Sequence, residues 1–190
     1  MSDLVKIAKT EISNSNKLCV IAGLNVLEDD QLTFEVAERL KKITEAQENS
    51  FIFKASFDKA NRSSVDSYRG PGLKKGLEIF RELKKSDYQL ITDIHEISQV
   101  EQISEVVDII QIPAFLCRQT DLIKEACQSG KPLNIKKGQF LSPDQMKNII
   151  EKCSNFGNDQ IMLCERGTSF GYDNLVVDML GMSKLKTFNC

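Results

Sequence analysis

The sequence predicts an α/β domain built on a parallel sheet, and three observations carry that prediction. Short apolar runs of strand length recur along the 190 residues, segments with a helical period separate them, and no Pro-, Gly- or Ser-rich linker interrupts the alternation. One domain over residues 1–190 is therefore expected.

The strand candidates are 18–22 (LCVIA), 51–55 (FIFKA), 89–92 (QLIT), 108–112 (DIIQI), 133–136 (LNIK) and 160–164 (QIMLC). Most are continuously apolar, as strands buried on both faces of a parallel sheet are. Between them, 31–47 sets Leu32, Val36, Leu40 and Ile43 on one helical stripe, and 72–85 repeats the pattern with Leu73, Leu77, Phe80 and Leu83. Shorter helices are expected at 100–106 and 121–128. Ser142-Pro143 opens the next, with Ser as cap and Pro in the first turn. The last is expected over 174–185. Six β-α units fit an open doubly wound sheet or part of a barrel. No GxGxxG or GxxxxGK[ST] follows any strand, so the phosphate signature of a dinucleotide fold is missing. A closed barrel has eight units, so by this count the chain stops two short.

Lys plus Arg number 25 and Asp plus Glu 27, a net charge of −2, which excludes a polycationic nucleic-acid binder but not a local cationic pocket. No apolar run reaches the roughly 18–20 residues that span a bilayer, and the N-terminal stretch has no apolar segment of signal-peptide length. A cytoplasmic protein with no membrane partner is expected. Six cysteines without a CxxC pair, beside the single histidine His95, do not supply a zinc site. They read as small buried hydrophobes.

Polar residues collect just after the strands, where a barrel carries its active site. The second strand runs into Lys54, Ser56, Asp58, Lys59, Asn61, Arg62, Ser63 and Ser64. An unpaired ammonium at the end of an apolar strand is costly, and a bound phosphate or carboxylate would relieve it. The fifth strand ends in Lys136-Lys137 and the sixth in Cys164-Glu165-Arg166. Three strands thus deliver Lys54, Lys136 and Arg166 to one rim, a set suited to a small, multiply charged anion. The third strand leads into Asp93, His95 and Glu96, which could handle water or protons. Gln111 and the backbone around Ala114 could orient a substrate, and Asn25 follows the first strand at the same rim.

In order along the chain, IAGLNVLE (21–28), FKASFDKANRSS (53–64), SYRGPGL (67–73), ITDIHE (91–96), QIPAFLCRQTDL (111–122), NIKKGQF (134–140) and CERGTSFGYDNLVVDMLG (164–181) resemble the 3-deoxy-D-manno-octulosonate 8-phosphate synthase family. The resemblance implies an α/β fold of the (β/α)8 TIM-barrel family with about six of the eight units present. It implies condensation of phosphoenolpyruvate with D-arabinose 5-phosphate and water for lipopolysaccharide biosynthesis, in a homotetramer without a cofactor. Carried over, Lys54, Gln111, Ala114, Lys136 and Arg166 would bind phosphoenolpyruvate. Lys59, Asn61, Arg62 and Ser63 would bind the pentose phosphate. Asn25, Lys59, Asp93 and His95 would be catalytic. Metal-requiring members carry Cys where this chain has Asn25, and an amide is a poor soft ligand, so no metal is implied. The family continues through two further units, and a seventh strand would begin at 187–190. Loss of those units would leave open sheet edges. A Schiff-base aldolase using Lys136, and an inactive fragment or non-catalytic phosphate-ligand binder, are the other readings.

Overall fold

In a computed structural model, residues 4–188 and 190 are described. They open on an antiparallel hairpin, β1 (Leu4–Ile7) and β2 (Thr10–Ser13), that the sequence reading did not anticipate. LVKI and TEIS are four residues each, too short to stand out by periodicity. Val5 and Ile7 alternate inward with Lys6 outward, the half-buried pattern of a strand with one wet face.

Six parallel strands follow, each with helical structure after it. They run as β3 (Cys19–Gly23), α1 (Asp30–Glu45), β4 (Ser50–Lys54), α2 (Gly72–Lys85), β5 (Leu90–Asp93), α3 (Val100–Ser104), β6 (Ile109–Ile112), α4 (Thr120–Gln128), β7 (Leu133–Lys136), α5 (Met146–Asn155) and β8 (Ile161–Cys164). The sheet order is β3-β4-β5-β6-β7-β8, each strand hydrogen-bonded to the next in sequence. Residues of β3, β4, β6, β7 and β8 line one cavity, so the sheet curls until its two edge strands face a common interior. That is the arrangement of successive units in a (β/α)8 barrel, six of them here.

All six expected strands are found within one residue of their predicted ends. The helices differ in detail. In α1 the buried face is Thr33, Ala37 and Thr44, one residue displaced from the predicted stripe, and Ile43 is exposed. Asp29 caps this helix by accepting from Leu32 N at 2.8 Å. α2 buries Leu77, Phe80 and Leu83 as predicted. α3 stops at Ser104, because the Val106 and Val107 amides both turn back to Ile103 O. Ser142 caps as predicted, but the first turn, Pro143–Gln145, is 3₁₀ before α5 begins.

The helix expected over 174–185 needs correction. Its first residues form β10 (Asn174–Val176), paired antiparallel with β9 (Thr168–Phe170), and α6 spans only Met179–Lys186. The turn passes through Gly171 at φ +70°, which a glycine adopts freely. Asp178 then caps α6 through Leu180 N. The expected start of a seventh strand at 187–190 includes Asn189, which lies outside the described residues; Thr187 and Phe188 form a turn after α6.

The core has two parts. The larger joins the helices to the outer face of the sheet through Phe53, Leu90, Ile110, Leu133 and Ile135. The smaller lies inside the curl, where Val5 and Ile7 of the hairpin pack on Ile52, Ile91 and Ile109. The hairpin therefore seals the N-terminal end of the strands. Its backbone is pinned by Gln160 to Lys6 N and Leu4 O, and by Gln89 to Ile7 O.

Candidate functional site

Strand periodicity builds the site. Inside the curl, β4 presents Ile52 and then Lys54, β5 presents Ile91 and then Asp93, and β6 presents Ile109 and then Gln111. β7 contributes Asn134 and Lys136, and β8 contributes Met162, Cys164 and, two residues on, Arg166. β4, β5 and β6 are apolar where the hairpin covers them and polar at their C-terminal ends.

Asp93 and Ser56 form the hub. The Ser56 hydroxyl donates to Asp93 Oδ1 and accepts from Lys54 Nζ at 2.6 Å and Lys59 Nζ at 2.8 Å. Asp93 also lies 3.7 Å from Lys54 Nζ, 4.0 Å from Lys59 Nζ and 3.3 Å from His95 Nε2. Burial alone would push the Asp93 carboxyl up. The hydrogen bond from His95, the Lys54 charge, the Ser56 hydroxyl and the Lys59 charge outweigh it and hold the carboxyl well below its usual range. Lys54 moves the other way. Burial pushes its ammonium down, Asp93 opposes the shift, Lys59 and Lys136 add to it, and the result is about 8.

Beside the hub lies a cavity of about 350 Å³, lined among others by Lys59, Asn61, Asp93, Gln111, Lys136 and Arg166. Gln111 is fixed by Asn134 Nδ2, which donates to its Oε1 at 3.3 Å. The His95 ring stands edge-on to Phe57 with centroids 5.8 Å apart. Two buried nitrogens here, His95 Nδ1 and Arg166 Nη1, have no hydrogen-bond partner among the described residues. Arg166 Nη1 is an unmet buried donor, which is costly, and an oxygen-rich anion in this cavity would satisfy it. Glu165 does not close on Arg166; it turns its Oε1 to Gly167 N instead.

The predicted residues are not equally gathered. Lys59, Asn61, Asp93, His95, Gln111, Ala114, Lys136 and Arg166 line the smaller cavity. Lys54 and Asn25 line the larger one, about 910 Å³, which shares Lys59, Gln111 and Lys136 with it. Arg62 and Ser63 line neither; both are exposed on the loop after β4, where Arg62 Nε donates to Tyr68 O. That loop is held by Lys59 N to Arg69 O, by Gly72 N to Phe57 O, and by Tyr68 Oη to Leu27 O.

Sequence reasoning noted Ser56, Glu165 and Lys137 at the rim without giving any of them a role, and did not single out Asn134. Ser56 stands two residues after Lys54 and so shares its side of the strand, a signal available in the sequence. Lys137 carried none, because a lysine after a strand reads as solvated. Among the described residues no group of three or more His, Cys, Asp or Glu side chains is clustered as a metal site would need. Cys117, Cys127 and Cys153 are buried as expected, whereas Cys19, Cys164 and Cys190 are only partly so. No helix among the described residues is long and apolar enough to cross a membrane.

Over 184 residues the chain is 53% identical to a 2-dehydro-3-deoxyphosphooctonate aldolase of Haemophilus influenzae (strain PittEE), covering 96% of this chain and 65% of the relative. It is 54% identical over 184 residues to the protein of that name from Bdellovibrio bacteriovorus, covering 96% and 64%. With the one from Hahella chejuensis the figures are 54% over 185 residues, 97% and 66%. The chain thus spans about 65% of the length of the curated relatives it matches. These names bear out the resemblance read from the rim motifs. The family model described as DAHP synthetase I matches residues 4–190, from the sealing hairpin through every strand that carries the charged rim, and the chain belongs to that family.

Proposed function

We propose that this chain carries the substrate-binding rim of an enzyme that condenses phosphoenolpyruvate with D-arabinose 5-phosphate and water, giving 3-deoxy-D-manno-octulosonate 8-phosphate and phosphate. The observation that carries the reading is the row of inward residues Lys54, Asp93, Gln111 and Lys136, with Arg166 beside them, around two adjoining cavities that share Lys59, Gln111 and Lys136. The names and identities of the relatives support it.

In this reading Lys54, Lys136 and Arg166 hold the carboxylate and phosphate of phosphoenolpyruvate, Arg166 with its unmet Nη1. Gln111 and the Ala114 backbone orient the molecule. Lys59 and Asn61 meet the pentose, and Arg62 and Ser63 meet its phosphate, for which the exposed loop must move inward. C3 of phosphoenolpyruvate forms the new bond to the pentose aldehyde carbon, whose oxygen takes a proton. Water adds at C2, and the C2–O bond to phosphate then breaks. Asn25, Lys59, Asp93 and His95 surround that centre. Asp93 lies against both Lys54 and Lys59 and opposes the burial that pushes the Lys54 ammonium down, and His95 Nδ1 is open to a substrate hydroxyl. Holding two phosphorylated molecules together against their repulsion is the main electrostatic task, and three cations on separate strands supply it. A metal-independent reaction, a homotetramer and a cytoplasmic location belong to the same reading.

Release of inorganic phosphate from phosphoenolpyruvate, dependent on added arabinose 5-phosphate, tests it. No release, with no binding of either substrate, refutes it. The second reading, a non-catalytic phosphate-ligand binder, draws on the same cations, which need only hold an anion. Thermal stabilisation by phosphoenolpyruvate without turnover would select it.

A further inference from the structure

Lys137 is the most deeply buried cation in the described chain, its side chain 1% exposed. Side chains alternate along β7, so while Lys136 enters the cavity, Lys137 points the opposite way, into the packing between two loops. Its Nζ lies 3.3 Å from Gly138 O and 3.2 Å from Leu141 O in the loop after β7. In the loop after β8 it lies 3.3 Å from Gly167 O and 3.1 Å from Thr168 Oγ1. Glu165 Oε2 faces it at 3.6 Å, and Glu165 Oε1 accepts from Gly167 N at 2.5 Å. The Lys137 amide donates to Cys164 O at 2.8 Å, extending the β7–β8 pairing one residue past the strands.

These contacts bracket Arg166. Residues 165, 167 and 168 are each tied to Lys137, while the Arg166 side chain remains free to enter the cavity with Nη1 unmet. A buried ammonium carries a heavy desolvation cost, and an apolar side chain would fill the same space without it. What the charge supplies is a fixed distance between the loop that follows Lys136 and the loop that holds Arg166.

We propose that Lys137 is a positioning residue of the phosphoenolpyruvate subsite: it touches no substrate, and it locks the loops after β7 and β8 so that Lys136 and Arg166 converge on one anion. The inference rests on the substrate reading above for the identity of that anion. The lock itself rests on the contacts of Nζ.

The test titrates phosphoenolpyruvate and, separately, arabinose 5-phosphate into the 190-residue chain and into Lys137→Met and Lys137→Arg, with hydrogen exchange measured on the ligand-free proteins. Lys137→Met is expected to weaken phosphoenolpyruvate binding by about 10- to 100-fold, the order for a displaced binding group. Arabinose 5-phosphate affinity stays within about twofold, since its loop follows β4. Exchange quickens only over 138–141 and 165–169. Lys137→Arg, which keeps the charge and several donors, recovers most of the lost affinity. A Lys137→Met protein that binds both substrates as the wild type does, or loses both equally, overturns the proposal. Should that variant fail to fold, Thr168→Val removes one of the acceptors, and unchanged phosphoenolpyruvate affinity there overturns it too. A wild-type chain that binds neither substrate counts against the reaction, and exchange still judges the lock: unchanged rates over 165–169 in Lys137→Met overturn it.

Discussion

Replacing Asp93 by Asn keeps the shape of the hub and removes its one negative charge. Lys54 Nζ and Lys59 Nζ lie 3.7 and 4.0 Å from the carboxylate. At an effective dielectric of about 20, each such pair is worth roughly 4 kcal/mol of attraction. Much of that offsets desolvation, and breaking one partner of a buried pair costs about 3–5 kcal/mol net. Lys54 relieves part of the cost by releasing its proton, since an ammonium already at about 8 drops further without Asp93. A loss of about 2–4 kcal/mol remains, equivalent to roughly 5–15 °C in Tm for a chain of this size. Thermal melting of wild type and Asp93→Asn, each with and without inorganic phosphate, reads it. Phosphate restores an anion to the cluster, so it should stabilise the variant more than the wild type. The destabilisation should also shrink as pH rises past 8. An Asn variant as stable as wild type without phosphate, or equal stabilisation of both by phosphate, refutes the reasoning.

Four other outcomes follow from the same geometry. Because the folded Lys54 pKa is about 8, below its ordinary 10.5, ligand-free protein loses a binding cation as pH rises through 8, and phosphoenolpyruvate affinity should fall above that point. The stability effect has the opposite sign: the cost of burying the charge is full below 8 and relieved between 8 and 10.5, while the Asp93 contribution is intact at neutral pH and lost as pH falls below the carboxylate range. Borohydride added with both substrates should trap no adduct on Lys136 or Lys54, and a trapped adduct seen by mass spectrometry would revive the Schiff-base aldolase. Phosphate release should survive a strong chelator, and abolition by the chelator with recovery on adding a divalent metal would defeat the argument from Asn25. Ile7→Ala should cost about 2–5 kcal/mol by chemical denaturation with phosphoenolpyruvate affinity unchanged, because Ile7 packs at the opposite end of the strands from Lys54.

The strands were legible because each is a short apolar run, and the rim because charges follow such runs at one end. Lys54, Lys136 and Arg166 could be grouped from sequence once a curved parallel sheet was assumed. The two hairpins were not legible. β1 and β2 have four residues apiece and find their apolar partners across the molecule on β4, β5 and β6. β10 lies inside the span expected as helix, and it pairs with β9 across the turn at Gly171. The shifted face of α1 has a local cause: Thr33 and Thr44 are buried because their hydroxyls are met within the helix, at Asp29 O and at Leu40 O and Lys41 O. Composition alone cannot tell a satisfied threonine from a solvated one. Lys137 stayed hidden for the same reason, since a lysine is met in the interior only by contacts that come from the neighbouring loop.

Each strand divides its work along its length. The N-terminal halves of β4, β5 and β6 give Ile52, Ile91 and Ile109 to the inner core that the hairpin covers, and two residues on the same strands give Lys54, Asp93 and Gln111 to the cavity. The period-2 alternation makes this economical, because a side chain two positions along faces the same way and inherits the rigidity of the one beneath it. Mutual repulsion among the cations is therefore resisted by the packed layer below and by Asp93 between Lys54 and Lys59, rather than by flexible loops. The exposed Arg62 and Ser63 stand outside this support, on a loop tied down at Phe57, Lys59 and Tyr68. In the proposed reaction the two phosphates would accordingly be served by different physics: rigid strand ends for one, a loop that must close for the other. Truncating a strand-end cation should raise the dissociation constant of phosphoenolpyruvate without changing how fast it binds. Shortening the loop around Arg62 should slow arabinose 5-phosphate association itself.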